Sequence, residues 1–84
     1  MRVELELRNL PRARVQEYLA DADGLPVGDV AMSGDGWLAW LEPMEPAQVG
    51  SITVPRDLLV IEGTASAVEP VSALMRSRTM RGGG

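Results

Sequence analysis

The sequence predicts an α+β fold, a two-layer sandwich. A mostly antiparallel sheet of four to five strands carries two helices on one face, in the order β-α-β-β-β-β-α. Three observations predict it. Val3, Leu5 and Leu7 alternate with Glu4, Glu6 and Arg8, the period of a strand with one face in the core. Val15, Tyr18, Leu19 and Ala22 recur at i, i+3, i+4, i+7, the stripe of an amphipathic helix. Asp29–Glu42 holds Ser33-Gly34-Asp35-Gly36, turn chemistry between two strand-like flanks.

The first helix is expected from about Pro11 to Ala22. Proline suits its first turn, Asn9 or Leu10 flanks it as a cap, and Gly24 supplies a left-handed stop. Leu25-Pro26-Val27-Gly28 reads as a connector. In the hairpin that follows, Trp37 and Trp40 are three residues apart, so their indoles point to opposite faces. Val30, Met32, Trp37, Ala39 and Leu41 form the nearly all-apolar set expected under the helices. Asp29, Ala31, Ser33, Leu38, Trp40 and Glu42 form the other face.

Glu42-Pro43-Met44-Glu45-Pro46 reads as a proline-punctuated loop. Ser51–Val54 is a short strand, Pro55-Arg56-Asp57 a turn, and Leu58–Ile61 an apolar run read as an interior strand. The last helix carries Val68, Val71, Leu74 and Met75 on one stripe. Ser66 and Glu69 have capping-box spacing, but Pro70 favours a start at Glu69 with proline in the first helical position. Residues 1–81 form a single domain, and Gly82, Gly83 and Gly84 a disordered tail.

Composition excludes several classes of function. With 84 residues, one small domain is the natural count. No cysteine and no histidine means no disulfide, no thiolate or imidazole metal site, and no histidine-based catalysis. No cofactor and no catalytic residue is expected. The net charge of −4 disfavours nucleic acid as a partner. All eight basic residues are arginine, which fits a GC-rich or thermophilic bacterial source. No apolar run reaches a membrane span, and Met1-Arg2-Val3-Glu4 enters a strand with no signal-peptide core, so the expected location is cytoplasmic.

The β-α-β-β opening resembles ferredoxin-like domains in topology. That resemblance implies a second helix after the third strand and a closing strand. Here further strands intervene and the chain ends on a helix.

A two-layer sandwich leaves one sheet face without helices. Leu38, Trp40 and alternate members of the Leu58–Ile61 run fall there, an apolar patch bordered by Glu4, Glu6 and Arg8. Such patches mark association surfaces, and tryptophan is an enriched anchor in them. The expected function is therefore a non-enzymatic protein-interaction module, a homodimer or larger. It self-associates through Leu38, Trp40, Leu59 and Ile61. The alternative is a small-molecule-binding regulatory domain whose ligand sits at a subunit interface.

Other constellations are weaker. Arg8, Arg12 and Arg14 flank the first helix N-terminus and are candidates for anion binding. The layout is related to that of acylphosphatase-like domains, but Asn9–Arg14 is not a glycine-rich loop. Asp29, Asp35, Glu42, Glu45, Asp57 and Glu62 lie near turns without ligand-loop spacing, so no metal is expected. Arg76, Arg78 and Arg81 complement the last helix dipole.

Overall fold

A computed structural model describes residues 1–29 and 31–82, with side chains outside residues 80–82. Val30, Gly83, Gly84 and the side chain of Arg81, which entered the expectations above, lie outside the described residues. The elements are β1 (Arg2–Arg8), α1 (Arg12–Ala20), β2 (Leu25–Val27), β3 (Ala31–Gly34), β4 (Trp37–Val49), β5 (Ile52–Gly63) and α2 (Ala65–Gly82). The strands form one sheet in the order β1-β5-β4-β3-β2, with antiparallel neighbours throughout. Both helices pack on the same face, so the two-layer α+β architecture holds.

The sheet order gives α1 its task. β1 and β2 run in the same direction but occupy opposite edges, so α1 carries the chain across the whole sheet. Val15 and Leu19 are its buried residues, and Tyr18 and Ala22 pack at the margin of the core. The helix begins at Pro11, which caps without a side-chain bond. At its end Asp23, not Gly24, takes the left-handed conformation, with φ 66°. Gly24 is needed for another reason: a Cβ there would stand 2.7 Å from both the Leu19 carbonyl oxygen and the Trp37 ring.

The core face of the sheet carries Val3, Leu7, Met32, Trp37, Ala39, Leu59 and Ile61 against Val15, Leu19, Val68, Val71 and Met75. The registers explain the set. Leu5, Leu59 and Leu41 lie in one row across β1, β5 and β4, and Val3, Ile61, Ala39 and Met32 in the next. Trp37 is buried and faces Gly34 across the β3–β4 hairpin. The turn itself is Asp35-Gly36, with Gly36 at φ 86°.

Three expectations about the second half are corrected. The Glu42–Pro46 segment is part of β4, not a loop, and Pro55–Asp57 is part of β5, not a turn. The strands expected at 51–54 and 58–61 are thus one strand, and the Leu25–Val27 connector is the missing fifth. The prolines fit because of where their missing N–H groups fall. Asn9 donates to the Pro55 carbonyl at 2.8 Å, so the backbone of Pro55 faces the β1 edge and no β4–β5 bond is lost. Pro46 lies at a bulge between Met44 and Ala47, where pairing is already interrupted.

The start of α2 is the third correction. The helix begins at Ala65, and Thr64 caps it through its Oγ1, which accepts from the Ala67 N–H at 3.3 Å. Pro70 therefore lies inside the helix, where it removes one backbone bond. Val68, Val71 and Met75 still face the core, so burial of the stripe outweighs the proline.

Candidate functional site

The helix-free face follows from strand parity. It carries Arg2, Glu4, Glu6 and Arg8 of β1, and Arg56, Leu58, Val60 and Glu62 of β5. Leu38, Trp40, Glu42 and Met44 of β4 lie beside them, then Ala31 and Ser33 of β3 and Leu25 and Val27 of β2. The face is divided in two. Its β1–β5 half is charged, and its β4–β3–β2 half is apolar apart from Ser33 and Glu42.

The charged half is cross-linked. The Arg2 guanidinium donates to Glu4 at 2.9 Å and to Glu62 at 2.8 Å. Those two bonds, Glu62 first, raise the Arg2 pKa above its ordinary value. Arg56 donates to Glu6 at 2.7 Å and to the Glu45 carbonyl oxygen at 2.7 Å. The Arg56 bond holds the Glu6 carboxyl below the ordinary glutamate value of 4.5. At the border, the Trp40 indole N–H donates to Glu42 at 2.8 Å. Arg2 lies over the Trp40 ring, 5.9 Å from its centroid. Between Glu4 and Trp40, Val60 has no exposed surface although no helix covers it.

The apolar half is not covered in this way. Leu25 is 71% exposed, and Val27 and Leu38 are exposed beside it. The same face continues along the β4–β5 ribbon beyond the rest of the sheet. Among the described residues β3 pairs with β4 as far as Trp40, and β1 with β5 as far as Arg56. Past those rows the ribbon is a two-stranded arm. The Glu45-Pro46 bulge preserves its facing, so Ala47 pairs with Val54 and Val49 with Ile52 on the helix-free side. Gln48 and Thr53 pair on the other side, hydrogen-bonded at 3.1 Å. Val49 is 57% and Ile52 63% exposed.

Of the residues expected here, Leu38 and Trp40 lie on the helix-free face, and Trp37 lies under the helices. Leu59 and Ile61 do not belong to an exposed surface. They are wholly buried on the core face, and their neighbours Leu58 and Val60 take the open side. The phase of this run is set by its partners: Leu59 pairs with Leu5, and Ile61 with Val3, both facing the helices.

The three arginines near α1 do not converge. Arg12 pairs with Asp57 at 3.1 Å, Arg8 approaches Glu6 at 3.6 Å, and Arg14 approaches Glu17 at 3.4 Å. An anion would have to compete with three different carboxylates. Arg78 bonds Asp21 at 2.8 Å and lies over the Tyr18 ring, tying the two helices together. Among the described residues no group of three acidic side chains is placed to share a cation. No described helix is long and apolar enough to cross a membrane.

Leu25, Val27, Val49 and Ile52 escaped sequence reasoning. One signal for the arm was present: Gly50-Ser51 stands between Val49 and the β-branched run Ile52-Thr53-Val54, a two-residue gap with the spacing of a tight hairpin. Gly50 has φ 63° there.

A family model described as archaeal MoaD-like protein matches residues 3–84. No curated protein matches the chain.

Proposed function

Given that the chain belongs to the archaeal MoaD-like family of small ubiquitin-like proteins, we propose that it is a non-enzymatic protein-interaction module that self-associates through its helix-free sheet face. One observation carries the reading. Among the described residues, the large apolar side chains that are exposed, Met1 apart, gather on that one face: Leu25, Val27, Leu38, Val49 and Ile52. A small domain gains little by leaving such residues in water, where each forgoes about 1.5–3 kcal/mol of burial. A charged border beside an apolar centre is also how interfaces are built.

The test is sedimentation or light scattering of the wild type and of Leu38→Ser across the micromolar range. A concentration-dependent dimer that Leu38→Ser weakens supports the reading. A wild-type monomer throughout the range overturns it.

A second reading, a small-molecule-binding regulatory domain, would use the crevice beside α1 lined by Arg12, Val15, Leu19, Met32, Leu41 and Leu59, whose interior is about 20 Å³. That is room for about one water, so a ligand there has to displace side chains. A regulatory domain using it gains melting temperature with a metabolite. No rise across a broad panel removes that reading.

A further inference from the structure

The helix-free face has an internal order that bears on what covers it. Along β5 the residues on this side are Ile52, Val54, Arg56, Leu58 and Val60, two apolar residues on each side of an arginine. Along β4 the corresponding positions are Val49, Ala47, Met44, Glu42 and Trp40. The arm tip and the Trp40 patch are therefore the same number of residue steps from the Arg56–Met44 row, on opposite sides of it.

We infer that the occupant of this face is a second copy of the chain, paired face to face about a two-fold axis across the Arg56–Met44 row, so that each arm lies over the other copy's Trp40 patch. This rests on the helix-free face being the association surface, and it adds which parts meet. The two-fold sets Val54 against Leu58 and Val49 against Trp40, apolar on apolar, with Ala47 beside Glu42, and lays Ile52 over the Glu4–Val60–Trp40 row, in which Val60 itself is already wholly covered. An isologous interface requires this self-complementarity, whereas an unrelated partner does not.

The axis sets Arg56 near Arg56 of the other copy, each already held by its own Glu6 at 2.7 Å. The belt between the apolar ends carries both signs, Arg8 and Arg56 with Glu6 and Glu42. Reversal about the axis brings Arg56 of one copy to within side-chain reach of Glu42 of the other. A base-to-base pairing, Leu38 over Leu38, sets Glu62 near Glu62 and leaves both arms in water.

The area is sufficient. The overlapping ribbon is eight residue steps long and two strands wide, about 27 Å by 10 Å. With the side-chain relief of two packed sheets it buries on the order of 1,000 Å² in total, the threshold of a specific interface. The arm also has a reason to be covered, because a two-stranded ribbon with no third strand is marginal in water.

The chain has no cysteine, so single cysteines report the arrangement. Packed sheets stand about 10 Å apart, too far for a direct disulfide, and a bis-maleimide of similar span is the probe. Met44→Cys lies by the axis and is expected to couple to itself. Leu38→Cys is expected not to couple to itself, but to couple in a mixture with Ser51→Cys. By sedimentation, Ile52→Glu is expected to weaken the dimer at least tenfold, while Gln48→Glu on the arm's other side leaves it unchanged. Both positions are exposed, and circular dichroism confirms the fold of each variant. A wild-type protein that stays monomeric overturns the association surface and this arrangement together. A dimer in which Leu38→Cys couples to itself, or which Ile52→Glu leaves intact, overturns the arrangement alone.

Discussion

The guanidinium carbon of Arg2 stands 5.9 Å from the centroid of the Trp40 ring, and the same guanidinium is held by Glu4 and Glu62. Two carboxylates thus fix a cation over the one indole on the helix-free face. Trp40 is half-buried as a result, and Val60 beside it is fully buried without a helix above. The border between the charged and apolar halves of the face runs through this pair.

Arg2→Ala removes that cover. Trp40 emission is expected to shift to the red and to become more accessible to acrylamide, with Trp37 unchanged in the core. Subtracting the spectra of matched Trp40→Phe variants isolates the signal. Unchanged quenching means that the Arg2 contact does not shield the ring.

Gly34 and Trp37 face each other across the hairpin, and the indole occupies the space a Gly34 side chain would need. Gly34→Ala pushes the ring out of the core. The expected destabilisation is about 1–3 kcal/mol in urea unfolding, the usual range for overpacking.

Leu59 and Leu38 separate stability from association. Leu59→Ala opens a cavity in a fully buried site and is expected to cost about 2–5 kcal/mol. That approaches the whole stability of a small domain, so thermal melting registers it at once. Leu38→Ser changes the stability of the monomer by roughly 0.5 kcal/mol or less, as surface substitutions do. It acts on the oligomer instead.

Glu6 predicts an acid-sensitive contact. Its carboxyl is held below 4.5 by the Arg56 hydrogen bond, so the folded state favours the ionised form. The stabilisation is present above the ordinary glutamate value and is lost as pH falls through the lower folded value. Melting curves of the wild type and Glu6→Gln are expected to converge below pH 4.5, and to differ in favour of the wild type above it.

Pro70→Ala restores the backbone bond that the proline removes from α2. An interior proline costs about 3 kcal/mol, and its stiffening of the unfolded chain returns roughly 0.4–1, so a net gain of about 2 kcal/mol is expected. A lower melting temperature for Pro70→Ala shows that the proline ring contributes packing of its own.

Much of the architecture was legible because polar residues mark the period. Glu4, Glu6 and Arg8 set the phase of β1, and Val15 and Leu19 the buried face of α1. The odd offset of Trp37 and Trp40 assigned them to opposite faces, as found. Proline broke the reading elsewhere. Pro43, Pro46 and Pro55 look like loop residues, but their missing amides fall at an edge or a bulge. Whether a proline interrupts a strand depends on whether its amide would have had a partner, and only the neighbouring strand decides that.

By itself, then, the sequence determined the two-layer α+β class, both helical stripes and the facing of the two tryptophans, because local periodicity encodes each of them. Only the tertiary structure decided which of Leu58, Leu59, Val60 and Ile61 face the helices. A continuous apolar run has no polar residue to mark its phase. The pairing of Leu59 with Leu5 and Leu41 sets it. The same pairings carry β4 and β5 past the end of the sheet and leave Val49 and Ile52 in water. The arm exists because its two strands outrun their neighbours, a property of the assembled sheet and not of any one segment.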